Sequence, residues 1–153
     1  QRLAERVDAA WRLVQPRASE QGITLTNEVE DDHRTPPMFP AEITSVLLNL
    51  MTNAIKAAGD NGRIITRSES HSEGSVVFTM ENTGDAVDLT ESEVWFRPFE
   101  STTAQADPVL GTGMGLGLPI VRRILEEVGA RVRFVSPTSS PFTTAVEITF
   151  PAS

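Results

Sequence analysis

Cysteine is absent from this chain of 153 residues, so disulfides, thiolate metal sites and cysteine nucleophiles are excluded. Lysine is nearly absent: Lys56 is the only one, and the other twelve basic residues are arginine. Long apolar runs are missing too, the longest falling far short of the roughly 20 residues of a membrane-spanning helix. No signal-peptide pattern opens the chain and no internal repeat divides it. Positive charge is scarce, with 13 basic against 21 acidic residues and a net charge of −8. That balance argues against nucleic acid as a partner, because phosphate neutralisation needs clustered Lys and Arg. A polyanionic ligand would need local help from a helix N-terminus, backbone amides, a metal ion or a few placed cations. What remains is ordinary for one globular domain: 39% apolar and 22% charged residues. The chain opens at Gln1 and is read as a segment of a longer protein.

Periodicity lays out the elements. Leu3, Val7, Ala10, Trp11 and Val14 recur at helical spacing, and Pro16 is expected to kink or break that run. Residues 23–29 alternate as a half-buried strand, and 30–37 read as a loop. The strongest helix covers 40–58, with Ile43, Val46, Leu47, Leu50, Met51, Ala54 and Ile55 on one stripe, Pro40 at its start and Gly59 at its stop. Strands over 63–70 and 75–80 form a hairpin around Gly74. Residues 82–117 are loop-rich, long enough to be functional. A helix over 118–128, tolerating Pro119 in its first turn and ended by Gly129, and strands over 131–135 and 144–150 complete the chain.

Three constellations carry chemistry. Asn49, Asn53 and Lys56 lie at i, i+4 and i+7 on the strongest helix and share a face. An Asn carbonyl is a hard oxygen ligand suited to Mg²⁺, which takes few protein ligands plus phosphates; a solvated helix face is the plain alternative. Glu81-Asn82-Thr83-Gly84-Asp85 directly follows a strand, where a polar side chain can meet a pocket edge; an ordinary turn is the plain alternative. Glycines at 111, 113, 115 and 117 let backbone approach a ligand and feed into a helix N-terminus. A dinucleotide fold fits poorly, because no convincing strand precedes the run and no acid follows for a ribose. A P-loop is excluded, because no Gly-Lys-Ser/Thr follows.

An Asn-rich helix, an Asn-x-Gly turn after a strand, the aromatic knot Trp95-Phe96-Arg97-Pro98-Phe99 and the run Gly113-Met114-Gly115-Leu116-Gly117-Leu118 occur in that order. Together they resemble the catalytic domain of sensor histidine kinases, within the group shared with gyrase, Hsp90 and MutL. The resemblance covers essentially the whole chain, 1–153, with 1–22 as a linking helix region and 94–113 as an ATP lid. It implies a two-layer α/β (α+β) sandwich: a mixed, mostly antiparallel sheet of about five strands on about three helices, the Bergerat-type ATP-binding fold.

The resemblance also assigns roles. Asn53 would ligate Mg²⁺, with Asn49 one turn earlier near the phosphates and Lys56 approaching phosphate oxygens. Asn82 would accept from the adenine amino group, with Gly84 in the same turn. Phe96 and Phe99 would anchor the lid, and Thr102 and Thr103 lie in it. Gly113, Met114, Gly115, Leu116, Gly117 and Leu118 would wrap the phosphates. The chain departs from the family in three places. Asn82 stands where an aspartate is usual, which makes for a weaker acceptor. Ala86 replaces a glycine, and Ala104 stands where the lid usually has a lysine. Glu81 or Asp85 would serve in a shifted register, but the spacing to Gly84 and Val87 favours Asn82.

The implied reaction is transfer of the ATP γ-phosphoryl group to a histidine on a separate helical hairpin. His33 and His71 sit in polar turns and read as surface residues, so the acceptor is expected upstream of Gln1. Asn49 stands where ATP-hydrolysing relatives carry a glutamate base, and it cannot take a proton at neutral pH. The expected partners are ATP–Mg²⁺, the phosphoacceptor hairpin of a homodimeric full protein, and a response regulator. Neither nucleic acid nor direct membrane contact by this domain is expected, and the setting is cytoplasmic even if the whole protein is membrane-anchored. The alternatives are an anti-sigma-factor-type serine kinase, against which the long knot and lid count, and a degenerate nucleotide-binding or docking module.

Overall fold

The computed structural model describes residues 1–86, 88–89 and 117–152. In chain order the elements are α1 (Leu3–Glu20), β1 (Thr24–Glu28), α2 (Pro40–Ala58), β2 (Arg63–Ser70), β3 (Val76–Asn82), α3 (Gly117–Glu127), β4 (Arg131–Val135) and β5 (Thr144–Phe150). The strands form one five-stranded sheet in the order β1-β2-β3-β5-β4. β1 runs parallel to β2, and every other neighbour is antiparallel. The expected two-layer sandwich of five strands and three helices is what the described residues form. None of their helices is long and apolar enough to cross a membrane.

The sheet's inner face follows from alternation. Phe78 and Met80 of β3, Ile148 and Phe150 of β5 and Val132 of β4 point to the helices and are buried. They meet the stripe Ile43, Val46, Leu47, Leu50, Met51 and Ala54 of α2, together with Leu3 and Val7 of α1 and Leu118, Val121 and Leu125 of α3. Burying each large side chain contributes about 1.5–3 kcal/mol, so this layer contact dominates stability. α2 contacts both flanking helices and strands β2 and β3, which makes it the central rod.

Helix ends explain the boundaries. α2 begins at Pro40, where a missing N–H costs nothing, and the Glu42 carboxylate accepts the Phe39 N–H at 2.8 Å. α3 ends as Gly129 takes positive φ and donates to Glu126 O at 3.0 Å. The first helix differs from expectation: α1 continues through Pro16 to Glu20. Pro16 and Arg12 both lie on the exposed side, so water can satisfy the Arg12 carbonyl that the proline ring leaves unpaired.

The connection 136–143 between β4 and β5 folds over the outer face of the sheet. Thr138 Oγ1 donates to Glu81 Oε2 at 3.1 Å, Arg67 pairs with the same carboxylate at 3.4 Å, and the Arg63 guanidinium lies over the Phe142 ring at 5.7 Å. Glu81 is thereby buried yet satisfied.

Candidate functional site

Alternation on β3 decides which residues face the helices. Met80 and Asn82 point inward while Glu81 points to the outer face, into its Arg67–Thr138 network. Glu81 is therefore no candidate for the inner pocket, and Asp85 is exposed in the turn beyond. Strand pairing sets Asn82 beside Thr144, Met80 beside Val146 and Val146 beside Phe134. Those five residues floor a pocket roofed by Leu50, Asn53, Ala54 and Ala57 of α2. The lining is mostly apolar, with three polar groups: Asn53, Asn82 and Thr144. That composition suits a flat, mostly apolar ring with a few hydrogen-bonding edges.

The amides are fixed in different ways. Asn82 is 4% exposed, and its Nδ2 donates to Thr83 O at 2.8 Å. Only the NH₂ end can donate to a carbonyl, so Oδ1 is the acceptor that this pocket-lining residue can offer a ligand. Asn49 donates from Nδ2 to Ser45 O at 2.8 Å, one turn back on its own helix, and its Oδ1 lies beside Gly117 of α3. Asn53 is 8% exposed, and its Nδ2 has no hydrogen-bond partner among the described residues. A buried polar group left in that state costs about 1–3 kcal/mol, which an incoming ligand can recover.

Two glycines bring backbones together. Gly84 has φ +101°, and a Cβ there would run into the Ala57 carbonyl of α2. Asp85 N donates to the same carbonyl at 2.9 Å, so Gly84 docks the turn after β3 onto the end of α2. Gly117, in the first turn of α3, is hemmed by Asn49: a Cβ would come within 2.6 Å of Asn49 Oδ1. The residue that starts α3 and the amide of α2 are therefore neighbours.

The candidates from sequence divide accordingly. Asn53 and Asn82 line one pocket, and Asn49 and Gly117 adjoin each other. Gly84 shapes the turn without lining the pocket. Leu118 sends its side chain into the core, so only its backbone can serve a ligand. Lys56 does not share the buried face of Asn53; it is exposed near the end of α2 and is not among the pocket residues. Phe96, Phe99, Thr102, Thr103, Gly113, Met114, Gly115 and Leu116 lie outside the described residues. Sequence reading missed Thr144, Met80, Phe134 and Val146, because each reads as an inward strand residue until the strand register sets it beside Asn82. Glu73, held below the usual carboxylate range chiefly by the Ser75 hydroxyl that donates to it at 2.6 Å, sits in the β2–β3 turn rather than in the pocket. No group of three His, Asp or Glu able to hold a metal by itself occurs among the described residues.

Known proteins share this fold. The model of the family of histidine kinase-, DNA gyrase B- and HSP90-like ATPases matches residues 39–153. The cell-division control histidine kinase PdhS of Brucella anthropi is 26% identical over 156 residues, covering 97% of this chain and 15% of that protein. The nucleotide-free catalytic domain of histidine kinase ThkA superposes with a TM-score of 0.78 at 27% identity, covering 99% of this chain and 93% of that one. Full-length ShkA in complex with AMPPNP superposes with a TM-score of 0.73 at 24% identity over 97% of this chain and 29% of that one. The chain thus spans about a seventh of the curated relatives' length and nearly all of the ThkA catalytic domain.

Proposed function

The chain belongs to the family of histidine kinase-, DNA gyrase B- and HSP90-like ATPases and has the fold of a histidine kinase catalytic domain; from this we propose that it binds ATP–Mg²⁺ for a two-component sensor kinase. Its reaction is transfer of the γ-phosphoryl group to a histidine on a helical hairpin elsewhere in the full protein. A response regulator is the downstream partner class, the full protein works as a homodimer, and the cytoplasm is where ATP and that partner are met. The observation that carries the reading is the pocket between α2 and the sheet, where a mostly apolar slot contains the Asn82 acceptor and a buried Asn53 amide with no partner among the described residues. The AMPPNP bound by ShkA, a protein of the same fold, supports ATP as the ligand class.

Each residue has work in this reading. Leu50, Ala54, Ala57, Met80, Phe134 and Val146 enclose the adenine ring and exclude water. Asn82 Oδ1 accepts from the adenine amino group, a donor that guanine lacks at the equivalent edge. Asn53, near the phosphate end, donates its Nδ2 to an acceptor oxygen of the ligand. The Asn53 carbonyl would hold Mg²⁺, which would supply neutralisation of phosphate charge for transfer. The glycine run from Gly111 to Gly117 and the first amides of α3 take the phosphates, and the helix N-terminus favours negative charge there by about 0.3–1 kcal/mol. The net charge of −8 opposes ATP, but beyond about 8 Å it is screened at physiological salt. Asn49 has no proton-accepting group, so water is not activated and hydrolysis stays slow.

Calorimetry of ADP and Mg²⁺ with the parent chain, Asn82→Ala and Asn82→Asp tests the pocket. Binding by the parent that Asn82→Ala weakens about fivefold, the worth of one hydrogen bond, supports the reading. Equal affinity in all three removes Asn82 from the site.

A further inference from the structure

We propose that Thr143 is a positioning residue for the base end of this pocket: its hydroxyl fixes the turn that aims Asn82. The inference rests on the ATP-pocket reading and adds a residue that does not line the pocket.

The direction of Asn82 depends on backbone. Its Nδ2 is tied to Thr83 O, so wherever the turn holds that carbonyl, Oδ1 points accordingly. The turn 82–85 is held from two sides. From α2, the Ala57 carbonyl takes the Asp85 N–H at 2.9 Å and packs on Gly84. From the entry into β5, Thr143 N donates to Asn82 O at 2.9 Å, Thr143 Oγ1 lies 2.8 Å from Gly84 O and 3.3 Å from Asn82 O, and Thr144 Oγ1 donates to Asp85 O at 2.8 Å. A hydroxyl has one proton, so the shorter contact, to Gly84 O, is the main bond. The backbone bond of Thr143 survives substitution; the hydroxyl bond is what its side chain adds.

Gly84 is where such a bond matters. With φ +101° it is the most conformationally permissive point of the turn, and the Thr143 hydroxyl holds its carbonyl. Thr143 is itself well placed to hold it. β-branching restricts its χ1, and the preceding connection is anchored on the outer face through Phe142 over Arg63 and Thr138 on Glu81. Thr144 lines the pocket, so its substitution would mix direct and indirect effects. Thr143 acts only through the turn.

The test is a double-mutant cycle on the intact chain, read as ADP affinity by calorimetry. Thr143→Val is expected to weaken ADP binding about fivefold, Thr143→Ser to restore it, and Thr143→Val in an Asn82→Ala background to add no further loss. Should the valine variant fail to fold, Thr143→Ala replaces it in the same cycle. Unchanged ADP affinity in Thr143→Val, failure of serine to restore it, or an equal fivefold loss in the Asn82→Ala background would each overturn the positioning role. A parent chain that does not bind ADP would instead overturn the pocket reading, and the positioning role with it.

Discussion

At the scale of single residues, the buried amide of Asn53 separates function from stability. Removing a well-satisfied buried amide normally destabilises a fold, but Nδ2 of Asn53 has no partner among the described residues. Asn53→Ala is therefore expected to leave the nucleotide-free melting temperature unchanged or raised, and to abolish the Mg²⁺-dependent part of ATP binding. A drop of several degrees with nucleotide affinity intact would make Asn53 structural. The two asparagines were legible in the sequence because helical spacing and a turn after a strand single them out. Their neighbours were not. Thr144, Val146 and Phe134 join the pocket only through the β3–β5–β4 register, a long-range pairing that local patterns do not contain. Lys56 stands apart from the two asparagines for a related reason. A seven-residue spacing sets its angle on the helix, but depth depends on what covers each turn, and the last turn of α2 leaves it exposed.

At the scale of elements, the turn after β3 is the joint between sheet and helix. Gly84→Ala forces a side chain into the Ala57 carbonyl at a positive φ. It should cost about 2–4 kcal/mol in urea unfolding, more than Asn82→Ala in the same turn. A loss below that of Asn82→Ala would show that the turn can move off α2. The first helix makes the opposite prediction. Pro16→Ala restores an N–H that can bond the Arg12 carbonyl in a helix already formed to Glu20, so unfolding should shift to higher urea. A shift to lower urea would mean that the proline is a needed feature of α1. The bounds of α2, β4 and β5 follow from apolar period and end signals. The length of α1 did not, because a proline on a solvated face interrupts one hydrogen bond without ending the packing of Leu3, Val7 and Ala18.

At the scale of the whole molecule, the question is what an acidic ATP-binding domain does with its nucleotide. The sheet and α2 enclose a mostly apolar pocket, and Gly117 at the start of α3 adjoins Asn49. Among the described residues lining that pocket, none can act as a base for water. The fold class was legible because four motif blocks occur in family order; the transfer partner was not, because neither His33 nor His71 adjoins the pocket. The most direct measurement incubates this chain with γ-labelled ATP and Mg²⁺, alone and with the histidine-bearing helical hairpin of the same protein. Slow phosphate release from the chain alone and acid-labile label on the hairpin histidine when both are present are the expected results. Rapid hydrolysis by the chain alone, or a hairpin that stays unlabelled while ATP is bound, would contradict it.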